Sequence, residues 1–100
     1  MKKSHIWTLR YDVRVRASLE KIRDKEVVRR IERSALRIQV QTEIGKLLKG
    51  YESEGIRSHR FGTPAGEYRI IYQLRYEDKI VFIILIGPRK DVYSILARKI

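Results

Sequence analysis

The sequence predicts a small α+β domain in which a helical hairpin and a short C-terminal helix pack on a largely antiparallel sheet. A segment near the N-terminus alternates with period two, and the segment after it repeats apolar residues every three or four positions. The second half of the chain holds three further strand-like segments separated by turn residues. A length of 100 residues suits one hydrophobic core, so we expect a single domain over residues 1–100. The order β-α-α-β-β-β-α indicates a sheet of about four strands backed by two helices.

The first strand is predicted over residues 6–11. Trp7, Leu9 and Tyr11 fall on one side of an extended chain, and polar residues stand between them. Aromatic and branched side chains at this period are typical of a strand with one face in the core.

Two helices are predicted next, as a hairpin. Asp12 can cap the first, whose apolar residues run from Val13 to Ile22. Asp24 can cap the second, which continues to about Thr42. The apolar residues of the second helix recur at a spacing of three or four, and they are Val27, Val28, Ile31, Ala35 and Ile38. The hairpin therefore presents one apolar face to a sheet, and its other face is rich in arginine.

Residues 45–55 are predicted to be a polar connection with glycines as punctuation, in which Leu47 and Leu48 fix the connection to the core. The three strands predicted after this connection cover residues 56–61, 67–75 and 79–86. The segments 62–66 and 76–78 are the expected turns between them.

The last predicted strand is almost continuously apolar, as a strand covered on both faces should be. Gly87 and Pro88 are expected to end it, and Asp91 can cap a short terminal helix. The strand over residues 67–75 has two different faces. One holds Tyr68, Ile70, Tyr72 and Leu74, and the other holds Arg69, Ile71, Gln73 and Arg75.

The charge of the chain indicates an anionic partner. There are 23 Lys and Arg against 12 Asp and Glu, so at least 23 − 12 = 11 cations have no acidic partner within the chain. Nucleic acid, acidic protein and anionic lipid are the candidates. The longest apolar run, residues 80–86, is far shorter than the ~20 residues needed to span a bilayer. We therefore expect a cytoplasmic protein without a membrane partner.

Several kinds of catalytic site are excluded by composition. The chain has no cysteine and only two histidines, and no metal-ligand spacing is visible. Neither a Gly-x-Gly-x-x-Gly nor a Gly-x-x-x-x-Gly-Lys loop occurs, so we expect no nucleotide cofactor and no metal. His59 is a candidate general base, and an ordinary strand histidine is an equally good interpretation of it.

Arginines stand out in the β-rich half, and they are Arg57, Arg60, Arg69, Arg75 and Arg89. Arg69 interrupts an apolar strand, although a solvated strand face is the usual reason for such a residue. Arg89 follows a buried strand directly, and Tyr93 comes four residues later, where it can lie over the same sheet face. A rigid group of guanidinium ions beside an aromatic ring matches the needs of RNA cleavage. The cations stabilise the phosphorane, and the ring stacks on a base.

The chain resembles the RelE/ParE toxin superfamily in the sequence YRIIY at residues 68–72, the apolar strand after it, and IGPRKDVY at residues 86–93. The likeness extends upstream through LLKG at residues 47–50, the basic hairpin and the first strand, so it covers almost the whole chain. It implies the toxin of a type II toxin–antitoxin pair. RelE-like members enter the ribosomal A site and cut mRNA without a metal, by attack of the ribose 2′-hydroxyl on the adjacent phosphate. ParE-like members poison DNA gyrase and generally lack the nuclease residues.

The resemblance implies roles for four residues. Arg69 corresponds to the strand arginine that stabilises the scissile phosphate, and Arg89 to the arginine assigned to the transition state or leaving group. Tyr93 corresponds to the tyrosine that stacks on or orients the substrate, and Arg60 falls near a basic residue of the preceding strand. Retention of this set favours the RelE-like branch.

The chain also departs from the family pattern. Ser58 stands where some members have a second basic residue, and Pro88 stands where many have His or Lys. The general base is therefore unassigned, with His59, Lys90 and Arg60 as candidates.

Three functions follow, in decreasing order of support. The first is a ribosome-dependent endoribonuclease, and the second is a ParE-like gyrase inhibitor or a toxin that has lost its activity. The third is a small basic RNA-binding or ribosome-associated domain, which leaves the Arg89 and Tyr93 arrangement unexplained. The expected partners are an acidic antitoxin, the ribosome and mRNA. The residues expected to bind RNA or the ribosome are Arg29, Arg30, Arg33, Arg37, Lys46, Lys49 and Arg57.

Overall fold

The computed structural model describes residues 6–99 of the chain. These residues form five strands, three α-helices and a 3-10 turn at Glu52–Glu54. The strands are β1 (Thr8–Tyr11), β2 (Lys46–Leu47), β3 (Ile56–Thr63), β4 (Gly66–Arg75) and β5 (Ile80–Pro88). The helices are α1 (Val13–Glu20), α2 (Lys25–Val40) and α3 (Arg89–Lys99). None of the helices in this part of the chain is long and apolar enough to cross a membrane.

The predicted α+β architecture is confirmed, with a mixed sheet in the order β1-β5-β4-β3-β2. β1 runs parallel to β5, and the other pairs are antiparallel. Five described strands replace the predicted four because Lys46 and Leu47 pair with the edge of β3. These two residues were predicted to lie in a polar connection, and a strand of two residues is too short to show a period that would reveal it.

Helices cover both faces of the sheet. The core between the sheet and the α1–α2 hairpin contains Val15, Ile38, Ile70, Tyr72, Leu74, Val81 and Ile83. The core between the opposite face and α3 contains Ile56, Ile71, Leu85, Val92 and Leu96. Ile70 and Ile71 are adjacent in β4 but belong to different cores, as the alternation of a strand requires. The prediction that the last strand is covered on both faces is confirmed.

A β-bulge interrupts the pairing of β4 with β5. Ile71 lies opposite Leu85 whereas Tyr72 lies opposite Ile83, which leaves Ile84 as the extra residue. The bulge shifts the alternation of β5 by one residue, so Ile83 faces the hairpin and Leu85 faces α3. The bulge therefore decides which face of the sheet each of the residues between Ile84 and α3 occupies.

Both predicted caps of the hairpin are confirmed. Asp12 accepts a hydrogen bond of 2.9 Å from the backbone of Arg14, and Asp24 accepts one of 2.9 Å from the backbone of Glu26. α1 ends at Glu20, earlier than predicted, and Ile22 lies beyond it in the link to α2.

The boundaries of the last elements differ from those predicted. Gly87 and Pro88 continue β5, because they pair with Arg69 and Tyr68 of β4. A proline without an amide hydrogen is tolerated at the end of a strand. α3 then begins at Arg89, so Asp91 lies in the first turn of the helix instead of capping it.

The turn between β3 and β4 is also tighter than predicted. β3 continues to Thr63 and β4 begins at Gly66, which leaves only Pro64 and Ala65 between them. Gly66 has a φ of 109°, which glycine adopts without strain.

Candidate active site

Arg69 lies at the centre of the site, on the face of β4 that α3 covers. Its Nε and Nη2 both lie 2.8 Å from Oε2 of Glu67, and its Nη1 donates a 2.8 Å hydrogen bond to the hydroxyl of Tyr93. The guanidinium carbon lies 5.6 Å from the centre of the Tyr93 ring. The side chain is only 16% exposed. Its three nitrogens are engaged, so the orientation of the guanidinium is fixed.

Tyr93 links α3 to two strands. Besides the bond from Arg69, its hydroxyl lies 3.1 Å from the hydroxyl of Ser58 on β3. The expectation that Tyr93 lies over the sheet face of Arg69 is therefore confirmed. Ser58, which the sequence showed only as a departure from the family pattern, contributes a hydroxyl group to the site.

Shallow depressions lie on either side of Tyr93. One, of about 390 Å³, is lined by three cations and by polar and apolar groups, and the residues are Ile44, Lys46, Leu47, Leu48, Ser58, His59, Arg60, Arg69 and Tyr93. The other is lined by Glu67, Pro88, Arg89, Lys90 and Tyr93. Arg60 pairs with Arg69 across β3 and β4, so the two side chains share a face. The structure thus brings the four residues predicted to be catalytic to two neighbouring depressions that share Tyr93, with Arg60 and Arg69 in one and Arg89 in the other.

The ring of His59 lies on the other face of the sheet, although the residue borders the first depression. His59 pairs with Ile70, which belongs to the core beneath the hairpin, and its ring stacks on Phe61 at 6.2 Å between centroids. Burial, and to a smaller extent Arg37, lowers the pKa of His59. The imidazole is therefore neutral near pH 7 and is turned away from Arg69. Lys90, the other auxiliary candidate, is exposed and lines the second depression.

Arg57 was predicted to bind RNA, but its guanidinium is engaged within the chain. Nη1 donates hydrogen bonds to the carbonyl oxygens of Gly45 at 2.6 Å and Glu43 at 3.4 Å. Arg57 also pairs with Tyr72 across the strands, on the face opposite Arg69. It holds the connection before β2 against the sheet.

The other residues predicted to bind RNA are dispersed. Arg29 and Arg30 both pair with Glu26, and the hydrogen bond from Arg30 is the main reason that the pKa of Glu26 is lowered. Arg33 and Arg37 are exposed on the same helix, and Lys49 is exposed after β2. Of the seven residues, only Lys46 lines a depression beside Tyr93. The hairpin is thus a separate basic surface.

The site offers cations and hydroxyl groups rather than metal ligands. Among residues 6–99, no group of three or more His, Asp or Glu is placed to hold a metal ion. The arrangement can bind and neutralise a phosphate diester through the fixed guanidinium of Arg69 and the exposed arginines beside it, while an aromatic ring contacts a base.

Comparison with known proteins identifies the family. Residues 9–93 match the model of the ParE toxin of the type II toxin–antitoxin system parDE. The chain belongs to the RelE/ParE toxin superfamily. No curated protein sequence matches this toxin. The predicted family is confirmed, and with it the assignment as a toxin of a type II toxin–antitoxin system.

Solved structures of RelE toxins share the fold of this toxin. A variant of Escherichia coli RelE in which two arginines are replaced by alanine, in the free state, is 21% identical to this chain. The two structures have a TM-score of 0.71, over 96% of this chain and 99% of that chain. The RelBE2 toxin–antitoxin complex from Mycobacterium tuberculosis is 25% identical with a TM-score of 0.70, over 83% and 98%. The RelE–RelB complex from Pyrococcus horikoshii is 21% identical with a TM-score of 0.55, over 85% and 97%.

Sequence reasoning missed two residues of the site. Glu67 stands two positions before Arg69 on one strand, so period two alone places the two side chains on one face. The partnership of Ser58 with Tyr93 depends on the register of β3 and on the start of α3, and no sequence pattern gives either.

Proposed function

We propose that this toxin is a ribosome-dependent endoribonuclease that cuts mRNA by attack of a ribose 2′-hydroxyl on the adjacent phosphate, without a metal. The observation that carries the proposal is the fixed guanidinium of Arg69. It is held by Tyr93, shares one depression with Arg60, and lies beside the neighbouring depression that Arg89 lines.

The resemblance to the family suggests a role for each of these residues, and the position of each residue is compatible with that role. Arg69 offers the Nε and Nη2 edge of its guanidinium to the non-bridging oxygens of the scissile phosphate, and this contact strengthens as charge grows in the phosphorane. Arg89, on the other side of Tyr93, neutralises the departing 5′-oxygen. The ring of Tyr93 stacks on or orients a nucleotide, and Arg60 adds positive charge beside Arg69.

Dependence on the ribosome fits the shape and charge of the molecule. The depressions beside Tyr93 are open to solvent, and the ribosome would hold a flexible mRNA in the alignment that in-line attack requires. The first fifty residues hold 14 bases and 6 acids, 14 − 6 = +8, against 9 − 6 = +3 for the last fifty. The basic hairpin, with Arg33 and Arg37 exposed, docks on ribosomal RNA while the site receives the mRNA.

An acidic antitoxin is the proposed protein partner. The solved relatives include RelBE and RelE–RelB complexes, in which a toxin is bound to its antitoxin. A chain with a formal charge of +11 attracts an acidic partner, and the association is expected to be fast and sensitive to salt.

Gyrase inhibition is the second candidate, because the family model that matches residues 9–93 describes a ParE toxin. Ser58 and Pro88 also stand where nuclease members often have basic residues. Under this hypothesis the arginines around Tyr93 would bind protein and carry out no chemistry.

Two assays run side by side distinguish the candidates. Purified toxin is added to a reconstituted translation system with a defined mRNA, and to a gyrase supercoiling reaction. We expect cleavage within the coding region only when ribosomes are present, with gyrase unaffected. Inhibited supercoiling with intact mRNA would support the second candidate instead. Equal cleavage of free mRNA would refute ribosome dependence.

A further inference from the structure

Attack by a ribose 2′-hydroxyl requires a group that accepts its proton, and the basic residues around Tyr93 do not supply one. The guanidinium of Arg60 and the ammonium groups of Lys46 and Lys90 are hydrogen-bond donors. The hydroxyls of Ser58 and Tyr93 are engaged with each other. The imidazole of His59 lies on the opposite face of the sheet.

Glu67 is the one acidic residue that lines the depressions around Arg69 within residues 6–99. It borders the depression of Arg89 and Tyr93, and also the one formed by Arg60, Phe61 and Gly62. Its side chain is 42% exposed, so RNA can reach it. It therefore stands between the cations that the proposed function assigns to the phosphate and to the leaving group.

The contact of Glu67 with Arg69 places its carboxylate where RNA would bind. Oε2 lies 2.8 Å from both Nε and Nη2, which form the guanidinium edge that binds a phosphate by two parallel hydrogen bonds. A phosphate that takes this edge must displace the carboxylate, which stays within reach of the site because Glu67 and Arg69 lie two residues apart on the same face of β4. The displaced carboxylate then lies beside the phosphate and the ribose attached to it.

We infer that Glu67 is the general base of this reaction, an inference that rests on the proposed ribonuclease function. The carboxylate takes the proton of the 2′-hydroxyl while the O2′–P bond forms. The P–O5′ bond breaks, and the departing O5′ takes a proton from water. The products are a 2′,3′-cyclic phosphate and a 5′-hydroxyl end, and Glu67 returns its proton to solvent.

The test is single-turnover cleavage of mRNA on programmed ribosomes. Glu67→Gln should lower the cleavage rate by about 10²–10⁴-fold, while the toxin concentration needed for half-maximal rate stays the same or falls. Glu67→Asp should retain part of the rate, and added formate should partly restore Glu67→Ala. Glu77→Gln, which removes the same charge from an exposed turn, should cleave at the wild-type rate. Unchanged circular dichroism and thermal midpoints show that each variant folds.

The results separate three cases. A Glu67→Gln variant that cuts as fast as wild type, or faster, would show that the carboxylate only competes with phosphate for Arg69, and would overturn the inference. Failure of formate to restore Glu67→Ala would also count against a base. If wild-type toxin cuts no mRNA on ribosomes, the proposed function fails and this inference fails with it.

Discussion

The guanidinium of Arg69 donates a 2.8 Å hydrogen bond to the hydroxyl of Tyr93, and its central carbon lies over the Tyr93 ring, 5.6 Å from the ring centre. This contact joins the central part of β4 to the first turns of α3, which are far apart in the chain. The cation and the aromatic ring are therefore in position before any substrate arrives, and a phosphate that binds Arg69 has to displace only the carboxylate of Glu67.

Removal of the Tyr93 hydroxyl tests this relationship. Tyr93→Phe keeps the ring but takes away the acceptor of Arg69 and the partner of Ser58. Hydrogen bonds to charged groups contribute about 1.5–3 kcal/mol, so we expect mRNA cleavage on ribosomes to slow by about 10-fold or more. Tyr68→Phe, on the opposite face of β4, is the control and should cut normally. Equal rates for both variants would show that the hydroxyl does not position Arg69.

Gly45 allows the chain before β2 to approach the sheet closely. A Cβ at this position would lie 2.8 Å from the Tyr72 hydroxyl and 2.9 Å from the Ser58 carbonyl oxygen. Gly45→Ala should therefore lower the free energy of unfolding by about 1–3 kcal/mol, measured by chemical denaturation. Gly62→Ala, where a Cβ meets nothing within 4 Å, should change it by less than about 0.5 kcal/mol. A similar loss in the two variants would contradict this account.

Arg57 is expected to matter for stability more than for RNA binding. Arg57→Ala leaves the carbonyl oxygens of Gly45 and Glu43 without their donor, and should cost about 1–3 kcal/mol in urea unfolding. Arg33→Ala removes the same charge from the exposed face of α2 and should leave the unfolding free energy nearly unchanged. An Arg57→Ala variant as stable as Arg33→Ala would show that the hydrogen bonds of Arg57 do not stabilise the fold.

Because the pKa of His59 is lowered in the folded protein, we expect the stability of the fold to depend on pH. Burial lowers its pKa in the folded protein, whereas in the unfolded chain the imidazole titrates at about 6.5. Between the two pKa values the unfolded state binds more protons, so the free energy of unfolding decreases as the pH falls below about 6.5. His59→Gln should weaken this dependence in denaturant titrations over that range. A pH dependence that persists unchanged in His59→Gln would contradict the buried neutral imidazole.

Patterns within one element were sufficient to predict much of the fold. Trp7, Leu9 and Tyr11 pack against the core between the sheet and the α1–α2 hairpin, as their alternation requires. Asp12 and Asp24 cap their helices as predicted, because a cap is recognised from the residue itself and from the helical pattern that directly follows it. The order of the elements along the chain followed from these patterns and from the spacing of the turns.

Features that depend on pairing between elements could not be predicted. β2 forms because Lys46 and Leu47 meet the free edge of β3, and two residues carry no period. The different roles of Arg57 and Arg60 depend on the face of β3 that each occupies, and that face is set by the register with β4. The engagement of Ser58 likewise depends on where α3 places Tyr93.

Cleavage of mRNA on programmed ribosomes by the Arg69→Ala, Arg89→Ala double variant tests the central claim most directly. Loss of one group that stabilises developing charge typically slows a reaction by about 10²–10³-fold, so we expect the double variant to be slower by at least that factor. Its fold should be retained, because neither side chain belongs to a core cluster. A folded double variant that cuts mRNA at the wild-type rate would contradict the assignment of these arginines to a ribonuclease site.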